Sequence, residues 1–276
     1  MIRRPPRSTL FPYTTLFGST DLWVPVTDKV KPGYSNLFSL GVYHNFKKKL
    51  EFSTEIYYNT LHRMIRYKEG ISYLKQKDRS WEEYLYRGQG RAYGIDLMLN
   101  KSSGRLNGWI SYSLSRSERS YKEIQNGAWF PSEYDRTHKI NLVTNYTFKD
   151  KESYRFQKII ALNFTYASGS YITLGKQIYS SNLMPGRPSE DIKTWVEKEY
   201  IKHPNNCRLP AYHHLDLAFH LRTKKQRGDS WSFCIYNIYF RKNPSFYYRH
   251  EHNGKAEIRQ ISILPFMPSV TWTYKF

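Results

Sequence analysis

The sequence predicts an all-β chain forming part of an antiparallel transmembrane β-barrel, and three observations carry that expectation. Apolar and polar residues alternate with a period of two through roughly nine segments, each about the 9–11 residues of a tilted membrane crossing. Aromatic residues make up 17% of the chain, 25 of them Tyr, while mean hydropathy is −0.71. That combination suits a sheet whose apolar face uses only every second residue and whose margins carry aromatic girdles. The connections between segments alternate short and long. No run approaches the ~18 apolar residues of a spanning helix.

Taken in order, Phe38, Leu40, Val42 and Phe46 share a face, and the Lys47-Lys48-Lys49 turn leads into Leu50, Phe52, Ile56 and Tyr58. A polar stretch from about Lys68 to Gln89 follows. Tyr93, Ile95, Leu97 and Leu99 then alternate with Gly94, Asp96, Met98 and Asn100, and Lys101-Ser102-Ser103-Gly104 reverses the chain into Leu106, Ile110, Tyr112 and Leu114. After a long connection, Ser117 to Tyr134, come Ile140, Leu142, Tyr146 and Phe148, a polar turn at Lys149-Asp150-Lys151, and Ile160, Leu162, Phe164 and Tyr166. The stretch from Ser168 to Pro210, with Pro185-Gly186-Arg187-Pro188, suits a surface loop and not the interior of a compact soluble domain. Leu215, Leu217, Phe219 and Leu221 oppose Asp216, Ala218 and His220. A charged turn from Thr223 to Gly228 precedes Trp231, Phe233 and Ile235, and a loop from Arg241 to Pro265 precedes the last segment. The turns at Lys47, Ser102, Asp150 and Lys225 fall on one side, and the loops near Gln76, Asn126, Pro185 and His252 on the other. Outer-membrane barrels show that asymmetry, with periplasmic turns and extracellular loops.

The final residues Pro268 to Phe276 place Val270, Trp272, Tyr274 and Phe276 on one face of a strand and Thr271, Thr273 and Lys275 on the other. They resemble the C-terminal assembly signal of bacterial outer-membrane barrels, which implies the barrel-assembly machinery and outer-membrane lipid as partners. By themselves they fit an edge strand of a soluble β-protein equally well. The formal charge of +20 points towards nucleic acid or anionic surfaces. Much of it, however, sits in connections such as Lys224-Lys225-Gln226-Arg227 and Arg241-Lys242, as on a solvated rim that can also meet anionic lipid head groups. Cys207 and Cys234 give neither metal spacing nor a disulfide framework, and His213-His214 would point to opposite faces of a strand. No catalytic constellation and no cofactor site emerges, so no enzymatic activity is expected.

Met1 to Gly18 shows neither helical nor strand periodicity. It resembles a translated sequencing-adapter read-through, departing at Gly18-Ser19 where Arg-Ser is usual. That resemblance divides the chain into a non-native segment at 1–18 and a barrel portion at 19–276, entered mid-domain near Asp21. The alternative is a basic, Pro-containing arm. Without Arg3, Arg4 and Arg7 the chain stays strongly basic.

At Arg208 the chain reads RLPAYHHLDL, which resembles the late barrel segment of TonB-dependent outer-membrane receptors, particularly those of Bacteroidetes-type bacteria. Other segments agree in order: GRAYGIDLMLNK from Gly90, GWISYSLSRS from Gly108, PSEYDRTHKINLVTNY from Pro131, NFTYASGSYITL from Asn163, YNIYFRKNPSFYY from Tyr236 and LPFMPSVTWTYKF from Leu264. The resemblance implies the C-terminal wall of a barrel of roughly 22 strands filled by a plug. It further implies TonB-energised import of a scarce nutrient, such as a siderophore, cobalamin or glycan, across the outer membrane of a Gram-negative bacterium. The sequence departs from that plan in showing no signal peptide, TonB-contacting box or plug. On this reading Leu97, Leu142, Phe164, Leu217 and Trp272 face lipid, and Asp96, Asn141, Asn163, Asp216 and Thr273 face the lumen. Candidate ligand contacts are the loop aromatics Trp81, Trp129, Tyr171 and Trp195, which stand among Lys and Arg. The competing classes are a soluble basic nucleic-acid-binding β-protein and a passive porin or adhesin barrel.

Overall fold

The computed structural model describes residues 26–46, 49–68, 80–149, 154–173, 177–181, 196–200, 204–224, 228–252, 255–263 and 265–276. The adapter-like segment at 1–18 and Trp195 lie outside the described residues. The chain divides into two units, Met1–Pro32 and Gly33–Phe276. In the first, the Val30 N–H donates to Thr27 Oγ1 at 3.1 Å. The second unit carries the sheet.

Its strands are β1 (Tyr34–Phe46), β2 (Leu50–Tyr67), β3 (Leu85–Lys101), β4 (Leu106–Tyr121), β5 (Phe130–Pro131), β6 (His138–Thr147), β7 (Phe156–Ala167) and β8 (Tyr171–Ile172). There follow β9 (Gln177–Ser181), β10 (Val196–Tyr200), β11 (Cys207–Arg208), β12 (Tyr212–Thr223), β13 (Gly228–Tyr236), β14 (Phe246–His252), β15 (Lys255–Ile261) and β16 (Met267–Lys275). The chain is all-β. One antiparallel sheet runs β1-β2-β3-β4-β6-β7-β12-β13-β16, with β5 beside β4, and every step along it joins neighbours in chain order apart from the strands inside the long connections. The turns β1–β2, β3–β4, β6–β7 and β12–β13 therefore lie at one edge of the strands, and the long connections at the other. Among the described residues β1 and β16 each pair on one side only, and the sheet does not close.

Register explains how the faces are composed. Directly opposed residues share a face, and one unbroken row runs Phe46, Leu50, Lys101, Gly108, Thr144, Leu162, Leu217, Ile235, Pro268. Phe46 is the last residue of β1, at the short-turn edge, whereas Pro268 is the second residue of β16, at the long-connection edge. The row thus drifts from one edge to the other. That stagger is what a sheet of tilted, barrel-type strands requires.

The strands run further at the long-connection edge than apolar alternation indicates. The polar connections expected at Lys68–Gln89 and Ser117–Tyr134 shrink, because β3 already begins at Leu85 and β4 continues to Tyr121. Arg87, Gly88 and Gln89 pair through their backbones, and a hydrogen-bonded ladder needs no apolar side chains. In β2 a register shift between Leu61 and Met64, with Arg63 at φ 57°, marks a bulge near that edge. Two of the long connections hold hairpins of their own, β9–β10 and β14–β15.

Gly108, the third residue of β4, has φ +144°, and a Cβ there would lie 2.1 Å from the Val143 carbonyl oxygen. Only glycine tolerates both conditions. Gly108→Val should therefore destabilise the sheet by about 2 kcal/mol or more, read as a lower urea midpoint of tryptophan fluorescence in detergent micelles, whereas Ser103→Ala in the preceding turn should leave the midpoint nearly unchanged.

Candidate functional site

The site begins with the two faces of the sheet. Leu97, Leu142, Phe164 and Leu217 fall on one face, together with Leu40, Ile56, Ile110, Phe219, Phe233, Val270 and Trp272. The face continues through all the long strands, yet no described residue of this unit forms a layer over it. Leu40 is 77% exposed, Phe38 68%, Val270 63% and Trp272 57%, and Tyr274 and Phe276 are exposed beside them. Leu97, Leu142, Phe164 and Leu217 are half-buried only by their neighbours in the sheet. The buried apolar residues of this unit, Leu85, Tyr121, Phe130 and Ala167, lie at the long-connection edge and not under the band. An apolar surface of this extent on a soluble monomer would be unusual.

The opposite face is polar. Asp96, Asn141, Asn163, Asp216 and Thr273 fall there, and their amides and carboxylates bond within the sheet. Asn163 Nδ2 donates to Asp216 Oδ2 at 3.0 Å, Asn141 Nδ2 to Ser111 Oγ at 3.4 Å, and Asn100 Nδ2 to Glu51 Oε2 at 2.9 Å. The Tyr57 hydroxyl lies over Gly94, where a Cβ would come within 2.8 Å of it, so the small residue admits the ring.

At the long-connection edge, segments distant in sequence interlock. Asn237, 1% exposed and at φ 53°, donates its backbone N–H to Asp216 Oδ1 at 2.9 Å. Its Nδ2 donates to the carbonyls of Arg241, at 2.8 Å, and Pro265, and its Oδ1 accepts from the Arg241 N–H at 3.2 Å. Asn243 forms a two-way bond with the backbone of His213, accepting its N–H at 3.1 Å and donating to its carbonyl at 2.8 Å. Arg241 Nη2 reaches the Ala211 carbonyl at 2.9 Å. The stretches RLPAYHHLDL and YNIYFRKN are therefore one packed unit. Tyr239 OH lies 2.7 Å from His213 Nδ1, and burial pushes the Tyr239 phenol up. Tyr212 and Tyr236 join through their hydroxyls at 3.0 Å, and His214 Nε2 stands 3.2 Å from Asp216 Oδ2.

The candidate ligand aromatics are not gathered into one pocket. Trp81 sits in the 3-10 turn Trp81–Tyr84 between β2 and β3, Trp129 in the β4–β6 connection, and Tyr171 in β8. Arg91 lies over Trp129 with its Cζ 4.3 Å from the ring centroid, and Arg208 over Tyr171 at 5.5 Å. Arg91 is held in turn by Glu118 at 2.6 Å, which also pairs with Arg116 at 2.7 Å. Alternation cannot reveal Glu118, Asn237 or Asn243, since their roles are set by partners far along the chain; the turn-forming Asn237 offers only the general tolerance of Asn for positive φ. Cys207 and Cys234 are both free thiols, and among the described residues no group of His, Cys, Asp and Glu is disposed to hold a metal ion.

No protein-family model matches the chain, and no curated protein matches it either. The geometry alone defines the class: an antiparallel sheet with one uncovered apolar face, one polar face and loops locked at a single edge.

Replacing Asn237 with Ala strips partners from the buried Arg241 N–H and from two carbonyls. We expect a loss of about 2–3 kcal/mol, measured as a lower urea midpoint together with faster proteolysis between residues 238 and 266.

Proposed function

We propose that Gly33–Phe276 is a section of outer-membrane β-barrel wall, and specifically the C-terminal barrel portion of a TonB-dependent importer of a scarce nutrient. One observation carries the membrane part of this reading: the apolar face runs from β1 to β16 with no second layer over it among the described residues, while the reverse face is mostly polar. In water such a sheet would need another sheet or helices on it. In a bilayer, hydrocarbon covers one face and an aqueous lumen wets the other. The stagger of the register supports tilted strands. Further strands pairing with β1 and β16 are required, since lipid does not tolerate open edges.

The importer part rests on the ordered resemblance of the segments quoted above, of which two form the interlocked Asn237 unit. On this reading the wall holds a plug against residues such as Asp96, Asn141 and Asp216, TonB acts through the part of the receptor that carries the plug, and outer loops capture the ligand. Trp129 and Tyr171, each held under an arginine, are suited to stack on a flat ring of a ligand. A soluble nucleic-acid binder is favoured only by the net charge, because its aromatics would have to share a face with the cations, and here most share a face with aliphatics.

An arginine at Leu142 should destabilise the folded barrel by about 2–4 kcal/mol, whereas arginine at the adjacent Asn141 should cost little. Heat-modifiable gel mobility and urea titration of the protein in lipid vesicles read the difference; equal sensitivity at the two positions would refute the membrane reading. The importer is tested at the gene: an uninterrupted reading frame upstream of Asp21 should encode a plug, and a passive barrel would have none.

A further inference from the structure

We infer that the short-turn edge of the sheet is a binding surface for anionic phospholipid head groups. The inference rests on the membrane reading and adds to it the chemistry of one leaflet. At this edge three zones follow one another along the strands of the apolar face. Aliphatic residues give way to rings, with Tyr146 against Phe148 at 5.1 Å, Trp231 against Trp272 at 6.4 Å and Tyr274 against Phe276 at 5.1 Å between centroids. Beyond the rings come cations. Lys101 and Lys158 fall on the apolar face itself, and Lys49, Arg105, Lys149 and Arg155 stand in or beside the turns, all of them exposed. That order matches the path from hydrocarbon through the interface to the phosphate layer, where long basic side chains place their charge while their stems stay on apolar surface.

Four of these cations, Lys49, Lys101, Arg105 and Lys149, have no carboxylate partner among the described residues. Of the described carboxylates at this edge, Glu51 falls on the polar face bonded to Asn100, and Asp229 is taken up by Arg155 and by Trp272 Nε1 at 3.1 Å. At the opposite edge arginines are committed internally: Arg91 and Arg116 to Glu118, Arg136 to the Ser168 carbonyl, and Arg241 to that of Ala211. Lys158 Nζ sits 5.5 Å from the Tyr154 ring and Arg155 Cζ 5.0 Å from that of Phe156, so cation and aromatic are already paired as an interfacial anchor. A row of cations bordering an apolar band fits a sheet of anionic head groups better than it fits a duplex, whose groove offers no hydrocarbon to the band.

The test uses the full chain refolded into vesicles of phosphatidylcholine alone or with one third phosphatidylglycerol, with affinity read by co-flotation and insertion by the blue shift of tryptophan emission. Binding to the anionic vesicles should be stronger by about tenfold at low salt and lose that advantage at high salt. The triple variant K49Q/K101Q/K149Q should lose the advantage, while R87Q/K122Q/K242Q at the other edge should keep it within about twofold. Insertion without preference for phosphatidylglycerol, or equal loss in both triple variants, would overturn this inference and leave the membrane reading standing. No insertion into either vesicle would overturn both, as would tighter capture of duplex DNA than of the anionic vesicles.

Discussion

The structure depends on the strict two-residue repeat of a hydrogen-bonded ladder. Once β1 to β16 are paired in register, every residue is committed to one of two faces, and a slip of a single position would exchange them all. From Phe38 to Trp272 most aliphatic and aromatic groups fall on one side and most Ser, Asn, Asp and Thr on the other, with exceptions such as Trp109 and Val143, which oppose each other on the polar face. Backbone bonding supplies the continuity, and the buried apolar residues of the sheet gather at its long-connection edge instead of in a layer against either face.

Order at the rim has another origin. Where the apolar band ends, side-chain amides take over, and Asn237 and Asn243 fasten the connection after β13 to the start of β12 by bonding backbone groups that would otherwise be buried without partners. The Glu118 carboxylate does the same for Arg91 and Arg116, and through Arg91 it sets the platform over Trp129. Loops with little apolar surface to bury need fastenings of this kind to hold one conformation.

How much of this could be read from the sequence differs by element. The long strands, their order and the edge on which each turn falls were legible because series such as Phe38, Leu40, Val42 and Tyr93, Ile95, Leu97, Leu99 repeat at the two-residue spacing of a strand. Strand ends were not, since Leu85 to Gln89 and Ser117 to Tyr121 pair through backbone atoms that leave no trace in side-chain pattern. Trp129 and Tyr171 could be noticed as loop aromatics, but the arginines over them come from β3 and β11, and no local signal links the members of such pairs.

The stagger of the register carries one more implication. A file of facing side chains leaves β1 beside its tight turn and reaches β16 beside its long loop, so it climbs obliquely across the full height of the sheet. Two residues that touch therefore need not sit at equal depth, and over several strands their surroundings change from one rim to the other. Strain introduced at either rim has an unbroken diagonal of contacts along which to spread.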